Sequence, residues 1–455
     1  MVIKQIYTKC LSQASYYIES NNECIIIDPI RDIDVYIDLI NQSKVRIKYI
    51  LETHFHADFI SGHLDLYKKY KCPIVYGPNA KPNYEFISKK DGDELYFGNL
   101  KIKVIHTPGH TLESVCYLLF DKKNIENSIF TGDTLFIGDV GIPDVAQRYD
   151  NMSKEELASK LYDSLMKIMK LPDNVIIYPG HGKGTQCGKN LSSETKSTIG
   201  KQKLLNYALK FKNKHDFINS ICSNIPKPPK YFIESVRKNI NGYDNLTLLL
   251  KKSLVPINVD DFKSFMNDKK YVMIDTRNSS DFAKGHLKNS INIGLNGSFA
   301  ISAGNLVDVH SNILIICNDG DEEESIKRLM RVGFDCVVGY LEGSFENWKN
   351  HGNDYSIIKQ IKSNEINEIS NKIFLDVRTK NEYDISHHIN SLNIPLYNLE
   401  SNLYKLNKNI NYFVHCQSGY RSMIASSILK NKGFKVIEIS DGFNNIINTK
   451  RNLLA

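Results

Sequence analysis

The chain has 455 residues, of which 42% are hydrophobic and 24% charged, and its formal net charge of +7 is spread along its length. That length exceeds what one hydrophobic core organises and suits two to four domains of ordinary globular composition. Nothing approaches a run of about eighteen apolar residues, and the opening stretch Met1 to Tyr17 has no apolar segment of the secretory kind, so a cytoplasmic protein is expected. Nine cysteines, an odd number without paired spacings, argue against a disulfide framework and for a reducing compartment with one or two working thiols. The densest basic stretch, residues 210–214, reads as a solvated helix face, so no nucleic-acid or membrane partner is expected, while small anionic substrates are compatible.

In chain order, strand-like runs occur at Glu23 to Asp28, Tyr49 to Thr53, Leu100 to Ile105, Val115 to Phe120, Ile129 to Thr131 and Val175 to Tyr178. Helices are predicted over 59–70, 153–170 and 191–211, with Ser153 and Ser192 or Ser193 as N-caps. The proline cluster from Ile225 to Phe232 excludes helix, and its flanking aromatics suggest that it packs back on the first domain.

The strand ends carry the chemistry. Thr53-His-Phe-His-Ala-Asp-Phe-Ile-Ser-Gly-His63 follows one strand, Thr107-Pro-Gly-His110 a second, Thr131-Gly-Asp-Thr134 a third and Tyr178-Pro-Gly-His-Gly182 a fourth. A lone histidine at a strand end is usually a surface or hydrogen-bonded residue. Four such positions at the carboxyl ends of strands are the arrangement from which an α/β layer builds a metal site.

These motifs resemble the metallo-β-lactamase superfamily over about residues 1–250, which implies an αββα sandwich with a metal site along one edge. Hydrolases of that superfamily hold two metals with a His-x-His-x-Asp-His loop; here Phe59 stands at the last position. The branch this chain looks most like is the persulfide dioxygenases. That resemblance implies His54, His110 and Asp133 as ligands of one Fe(II), with His56, Asp58 and His181 in the surrounding layer; spacing alone does not choose among the six. Two imidazoles and a carboxylate leave open positions suited to iron–oxygen chemistry. The competing reading makes His56 or His181 a ligand of zinc in a mononuclear hydrolase. The stretch Gly138 to Gln147 also resembles the family, though Ile142 stands where the family often carries arginine. Cys187 resembles a cysteine found in bacterial fusions of such dioxygenases with sulfurtransferases, and is a candidate sulfur relay whose thiol Lys183 and Lys189 are expected to acidify.

The C-terminal half repeats itself. Tyr271 to Arg277 echoes Lys372 to Arg378, His286 to Ile293 echoes His388 to Ile394, Asn312 to Cys317 echoes Asn411 to Cys416, and Glu342-Gly343 echoes Asp441-Gly442. The offsets are all about one hundred residues, the size of a small α/β domain. Cys416 lies where a strand turns into a helix, so backbone N–H groups converge on its thiol, and Arg421 adds positive charge at the mouth. The second copy resembles rhodanese, with Asp376 and Arg378 matching an early structural motif of that family and Cys416 matching the residue that carries sulfane sulfur. In the first copy Cys317 is followed by five carboxylates within seven residues, which are expected to raise its thiol pKa and repel anionic donors.

The expected organisation is α/β: a metallo-β-lactamase-type sandwich over 1–250, a degenerate rhodanese-like domain over 255–352 and a rhodanese-like sulfurtransferase domain over 360–455. The expected function is O2-dependent oxidation of low-molecular-weight thiol persulfides to sulfite and thiol at one Fe(II) per chain, coupled to sulfur transfer through Cys416. Persulfide, O2, sulfite and thiosulfate are the expected partners, in a homo-oligomer. Alternatives are a glyoxalase II-like thioester hydrolase, for which Phe59 is the discriminating residue, and a non-catalytic sulfide sensor or scaffold.

Overall fold

Alternating side chains along the N-terminal strands divide them between two packing faces. The computed structural model describes residues 1–143, 152–185, 187–188, 191–223, 225, 228–368, 373–389, 391–448 and 453–454. Its chain forms two compact units, residues 1–248 with 330–333, and residues 249–329 with 334–455.

The first unit contains two six-stranded sheets. One runs in chain order through Val2–Thr8, Gln13–Ser20, Glu23–Ile27, Arg46–Leu51, Ile74–Tyr76 and Ile87–Ser88. The other orders Ser197–Thr198, Ile176–Pro179, Glu126–Gly132, Val115–Phe120, Leu100–His106 and Glu94–Phe97. Tyr16, Ile18, Ile25 and Ile27 meet Ile102, Val104, Val115, Tyr117 and Leu119 in a single buried cluster. The intervening Ile105, Cys116, Leu118 and Ile129 turn the other way, onto Leu161, Leu165 and Ile168 of the helix Lys154–Ile168. On the opposite sheet Ser15 bonds Tyr36 of the helix Asp34–Ser43 at 2.6 Å. This is the four-layered sandwich that the motifs imply.

Ser153 caps its helix as expected, in a capping box with Glu156. Two helix boundaries differ from the periodic reading. The helix expected from residue 59 begins at His63, because Phe59 to Gly62 give their backbone groups to tertiary partners, including Ser61 N–H to Asn239 Oδ1 at 3.0 Å. The helix expected over 191–211 spans only Ile199–Leu205 and is capped by Thr198, not Ser192 or Ser193. Ser197 and Thr198 are instead drawn into an edge strand paired with Ile177 and Ile176. Beyond the proline cluster, whose residues 226–227 lie outside the described residues, Tyr231 and Phe232 are buried and open the helix Phe232–Asn241.

The second unit repeats one topology. A five-stranded parallel sheet orders Pro256–Ile257, Val337–Leu341, Asn312–Ile316, Tyr271–Asp275 and Ile291–Asn292. A second orders Lys359–Ile361, Lys435–Ile439, Asn411–His415, Ile373–Asp376 and Ser391–Asn393 in the same way. In both copies a buried arginine forks onto the aspartate two residues before it, Arg277 on Asp275 and Arg378 on Asp376, each at 2.6 Å. The copies touch where it matters. Tyr420, the first residue of the helix that follows Cys416, donates its hydroxyl to Gly294 O at 3.0 Å, and a Cβ at Gly297 would meet its ring at 2.3 Å. Among the described residues no helix is long and apolar enough to cross a membrane.

Candidate metal centre and thiol loops

The strands Arg46–Leu51, Leu100–His106, Glu126–Gly132 and Ile176–Pro179 deliver His54, His110, Asp133 and His181 just beyond their carboxyl ends, where all four are buried. His54, His110 and Asp133 bring one donor atom each to within 4.8 Å of one another. Asp58, His181 and Cys187 form a second such group, and Asp28, Glu52 and His56 a third.

Hydrogen bonds set which nitrogen each ring offers. His110 Nδ1 lies 2.9 Å from Ile142 O and His181 Nδ1 lies 3.2 Å from Ser12 O. A carbonyl only accepts, so both Nδ1 atoms carry the proton and both Nε2 lone pairs are available. Thr53 Oγ1 donates to Asp28 Oδ2 at 2.8 Å and therefore accepts from His54 Nδ1 at 2.9 Å, which frees His54 Nε2 as well. His54 Nε2 and His110 Nε2 stand 3.9 and 3.5 Å from Asp133 Oδ2. Burial, the largest cause in each case, lowers the proton affinity of all three rings, that of His110 to about 4. Burial thus favours the neutral imidazole, the form in which histidine binds a metal.

Both carboxylate oxygens of Asp133, one of Asp58 and His181 Nε2 are buried without a hydrogen-bond partner, and burial lifts Asp133 and Asp58 to about 6. Buried lone pairs without donors are costly, and a cation between them satisfies that need. Glycine makes room: a Cβ at Gly180 would sit 2.7 Å from Asp133 Oδ1, and one at Gly141 would collide with Asp133 O at 1.9 Å. The residues present fit a divalent metal.

His56 faces two carboxylates. Its Nε2 lies 3.1 Å from Asp28 Oδ1 and 3.4 Å from Glu52 Oε2. Burial opposes its protonation, but the two carboxylates outweigh that and raise its pKa well above the usual value. Phe59 is fully buried with its ring 4.3 Å from that of His56, and offers no donor atom. Asn239 holds the loop by donating to His56 O and Phe59 O, each at 2.8 Å. Sequence reasoning missed Asp28, Glu52, Thr53 and Asn239 as supports; only the carboxylates inside apolar strand ends, Asp28 and Glu52, carried a signal.

Cys187 sits against Asp58 and His181, and its thiol is not acidified. Burial first, then Asp58 and Asp133, push its pKa well above the usual value. Lys183 is exposed and does not offset this, while Lys189 and residues 144–147 of the Gly138 to Gln147 stretch lie outside the described residues. Ile142, where the resemblance leads one to expect arginine, uses its backbone, accepting from His110 Nδ1 and donating to Cys187 O at 3.0 Å.

In the second unit Cys416 is buried between the strand Asn411–His415 and the helix Tyr420–Asn431, with Gly419 at a positive φ of 97° where a Cβ would strike Ser440 O. Arg421 is not a free charge at the mouth. It grips Glu382 through two hydrogen bonds of 2.7 Å, and although burial works against ionisation of Glu382, the guanidinium holds that carboxyl at about 2. Cys317 is likewise buried, and burial followed by Glu322, Asp321, Asp275 and Asp319 raises its thiol pKa, the direction its acidic loop predicts.

Residues 8–181 match the metallo-beta-lactamase superfamily, and residues 258–351 and 359–449 match the rhodanese-like domain. A hydroxyacylglutathione hydrolase from Francisella philomiragia is 36% identical over 175 residues, which cover 38% of this chain and 63% of that protein. The chain therefore spans less than two thirds of that relative's length. A metallo-beta-lactamase structure from Staphylococcus aureus shares 31% identity and a TM-score of 0.66, over 75% of this chain and 98% of its own. ETHE1 from Myxococcus xanthus aligns with 28% identity and a TM-score of 0.45, over 52% of this chain and 98% of its own.

Proposed function

Since the chain belongs to the metallo-beta-lactamase superfamily and carries two rhodanese-like domains, we propose that it is an enzyme of sulfur metabolism, a persulfide dioxygenase joined to a sulfurtransferase. The observation that carries the reading is the donor set. His54 Nε2, His110 Nε2 and Asp133 Oδ2 converge as two neutral imidazoles and a carboxylate, while His56 is engaged by Asp28 and Glu52 and Phe59 offers nothing. Such a triad suits one Fe(II) with open positions. Bound there, the ion supplies the redox chemistry by which O2 oxidises a persulfide sulfur.

The protein's share is positioning. Thr53, Ile142 O and Ser12 O orient the rings of His54, His110 and His181, and buried Phe59 and Phe136 pack beside His56 and His181. One persulfide, one O2 and one water yield thiol, sulfite and two protons. At Cys416, the thiolate attacks the outer sulfur of a persulfide and releases the carrier thiolate; sulfite then takes that sulfur as thiosulfate and restores the Cys416 thiolate. Tethering places both activities on one chain, each able to use what the other makes or consumes. In this reading the partners are small molecules in the cytoplasm.

The test is metal analysis paired with oxygen uptake on a panel of thiol persulfides. One iron per chain and persulfide-dependent uptake are expected; no uptake by iron-loaded protein removes the reading. The second reading is a hydroxyacyl-thioester hydrolase, favoured by the name of the Francisella relative and by the adjacent Asp58, His181 and Cys187 group. Two tightly held zinc ions with thioester turnover would select it.

A further inference from the structure

Glu438 is a carboxylate in the middle of a parallel sheet, with no exposed surface. Its strand Lys435–Ile439 runs between Lys359–Ile361 and Asn411–His415, and Glu438 is paired with Gln360 on one side and Val414 on the other. Side-chain alternation puts Cys416, two residues beyond Val414, on the same face. Ser422, in the first turn of the helix Tyr420–Asn431, bridges them. Its Oγ lies 3.5 Å from Cys416 Sγ and 2.6 Å from Glu438 Oε1, and all three residues are buried.

We propose that Glu438 is a positioning residue that exchanges a proton with the Cys416 thiol through the Ser422 hydroxyl. The proposal rests on the reading of Cys416 as the sulfur-carrying nucleophile. Ser422 Oγ has one proton and two acceptors in reach, Glu438 Oε1 and Gly419 O at 2.9 Å. When that proton points at Glu438, the carboxyl is ionised. When it points elsewhere, the 2.6 Å contact needs the proton on Glu438. One hydrogen-bond geometry thus serves both protonation states.

Among the described residues, the groups around Glu438 include no cation. The strand Lys359–Ile361 contributes the neutral Gln360, donating to Oε2 at 3.0 Å. The strand Asn411–His415 leads to Cys416, and the helix contributes Ser422. The turn after its own strand contributes Asp441, whose carboxylate accepts from Ser363 N–H and Oγ at 2.9 and 2.7 Å. Arg421, one residue from Ser422, is committed to Glu382. Burial lifts Glu438 to about 7, within reach of neutral pH. The first copy has no such arrangement. The residue six beyond Cys317 is Glu323, and Ile315, two before that cysteine, is paired with Tyr340.

The step is a proton transfer with no change of oxidation state. The Cys416 S–H bond breaks and its proton goes to Ser422 Oγ, while the Ser422 proton goes to Glu438 Oε1. A thiolate and a neutral carboxylic acid result. After Cys416 has passed its sulfur on and regained the thiolate form, the same route returns the proton.

The experiment measures the alkylation rate of Cys416 by iodoacetamide in the full-length protein between roughly pH 5 and 9, with the labelled peptide followed by mass spectrometry and Cys416→Ser identifying it. Coupled groups titrate together, so a profile with two steps is expected, the lower centred near 7. Glu438→Gln keeps the shape and hydrogen bonds of the side chain and should lose the lower step. Ser422→Ala should lose it too, and Ser422→Thr should restore it. A single step in the native protein, or a Glu438→Gln profile superimposed on the native one, overturns the proposal. If Glu438→Gln does not fold, the Ser422→Ala and Ser422→Thr pair decides. Alkylation needs no sulfur donor. Absence of sulfur transfer from persulfide to sulfite by the native chain would therefore sink the functional reading and leave this measurement standing.

Discussion

Thr53 shows how much of the candidate metal centre depends on residues that offer no donor to a metal themselves. Its hydroxyl accepts a hydrogen bond from His54 Nδ1 while donating its own to Asp28, so one side chain sets the tautomer of a candidate ligand. Thr53→Val keeps the volume and removes both bonds; metal affinity is expected to fall by about 10–100-fold, read by competition with a chelator. At Arg421 the pair with Glu382 makes a prediction about pH. The Glu382 carboxyl is depressed from 4.5 to about 2 in the folded chain, so its stabilisation is complete above 4.5 and is lost as pH falls toward 2. Both partners are partly exposed, which limits the effect to roughly 1 kcal/mol. The stability difference between native chain and Glu382→Gln, from urea titrations, should therefore shrink across that interval. The candidate ligand histidines were legible as candidates because each ends a strand with a Pro-Gly or His-rich signature. Their supports were not: Asn239 lies 178 residues from the Ser61 it binds, and asparagine in a helix advertises no such role.

Among the elements, those with a complete local signal matched their periodic reading. The helix Lys154–Ile168 has a serine cap, an acidic first turn and a buried stripe at Leu157, Leu161, Leu165 and Ile168. Ser153→Ala removes the capping box and should cost about 1 kcal/mol, seen as a lower urea midpoint with an unchanged slope. The helices expected from 59 and over 191–211 were shortened where tertiary hydrogen bonds and an edge strand claimed their first residues. Polar residues that cap helices also serve in extended edges, so local pattern alone could not choose. The same holds for Glu438: a carboxylate inside a buried parallel strand conflicts with its surroundings, and only the register with Val414 and the helix above it gives the conflict a purpose.

At the scale of the whole molecule, the metal-ligand candidates and Cys416 lie in separate compact units. Removing the metal with a chelator should abolish persulfide-dependent oxygen uptake and leave sulfur transfer from persulfide to sulfite intact, both followed on the same preparation. Loss of both together would show that Cys416 depends on the metal centre. The sequence by itself determined the tandem repeat, because repeated strand-turn-helix signatures are local and survive reading in one dimension, while the layered first fold followed from the resemblance of its strand-end motifs to a known superfamily. Only the tertiary structure decided the electrostatic states. Cys187 faces Asp58 and Asp133, Arg421 is paired with Glu382, and His56 lies between Asp28 and Glu52, which favour its protonation. Charge and burial are properties of neighbours in space, and apart from Glu52, four residues before His56, those neighbours stand well apart along the chain.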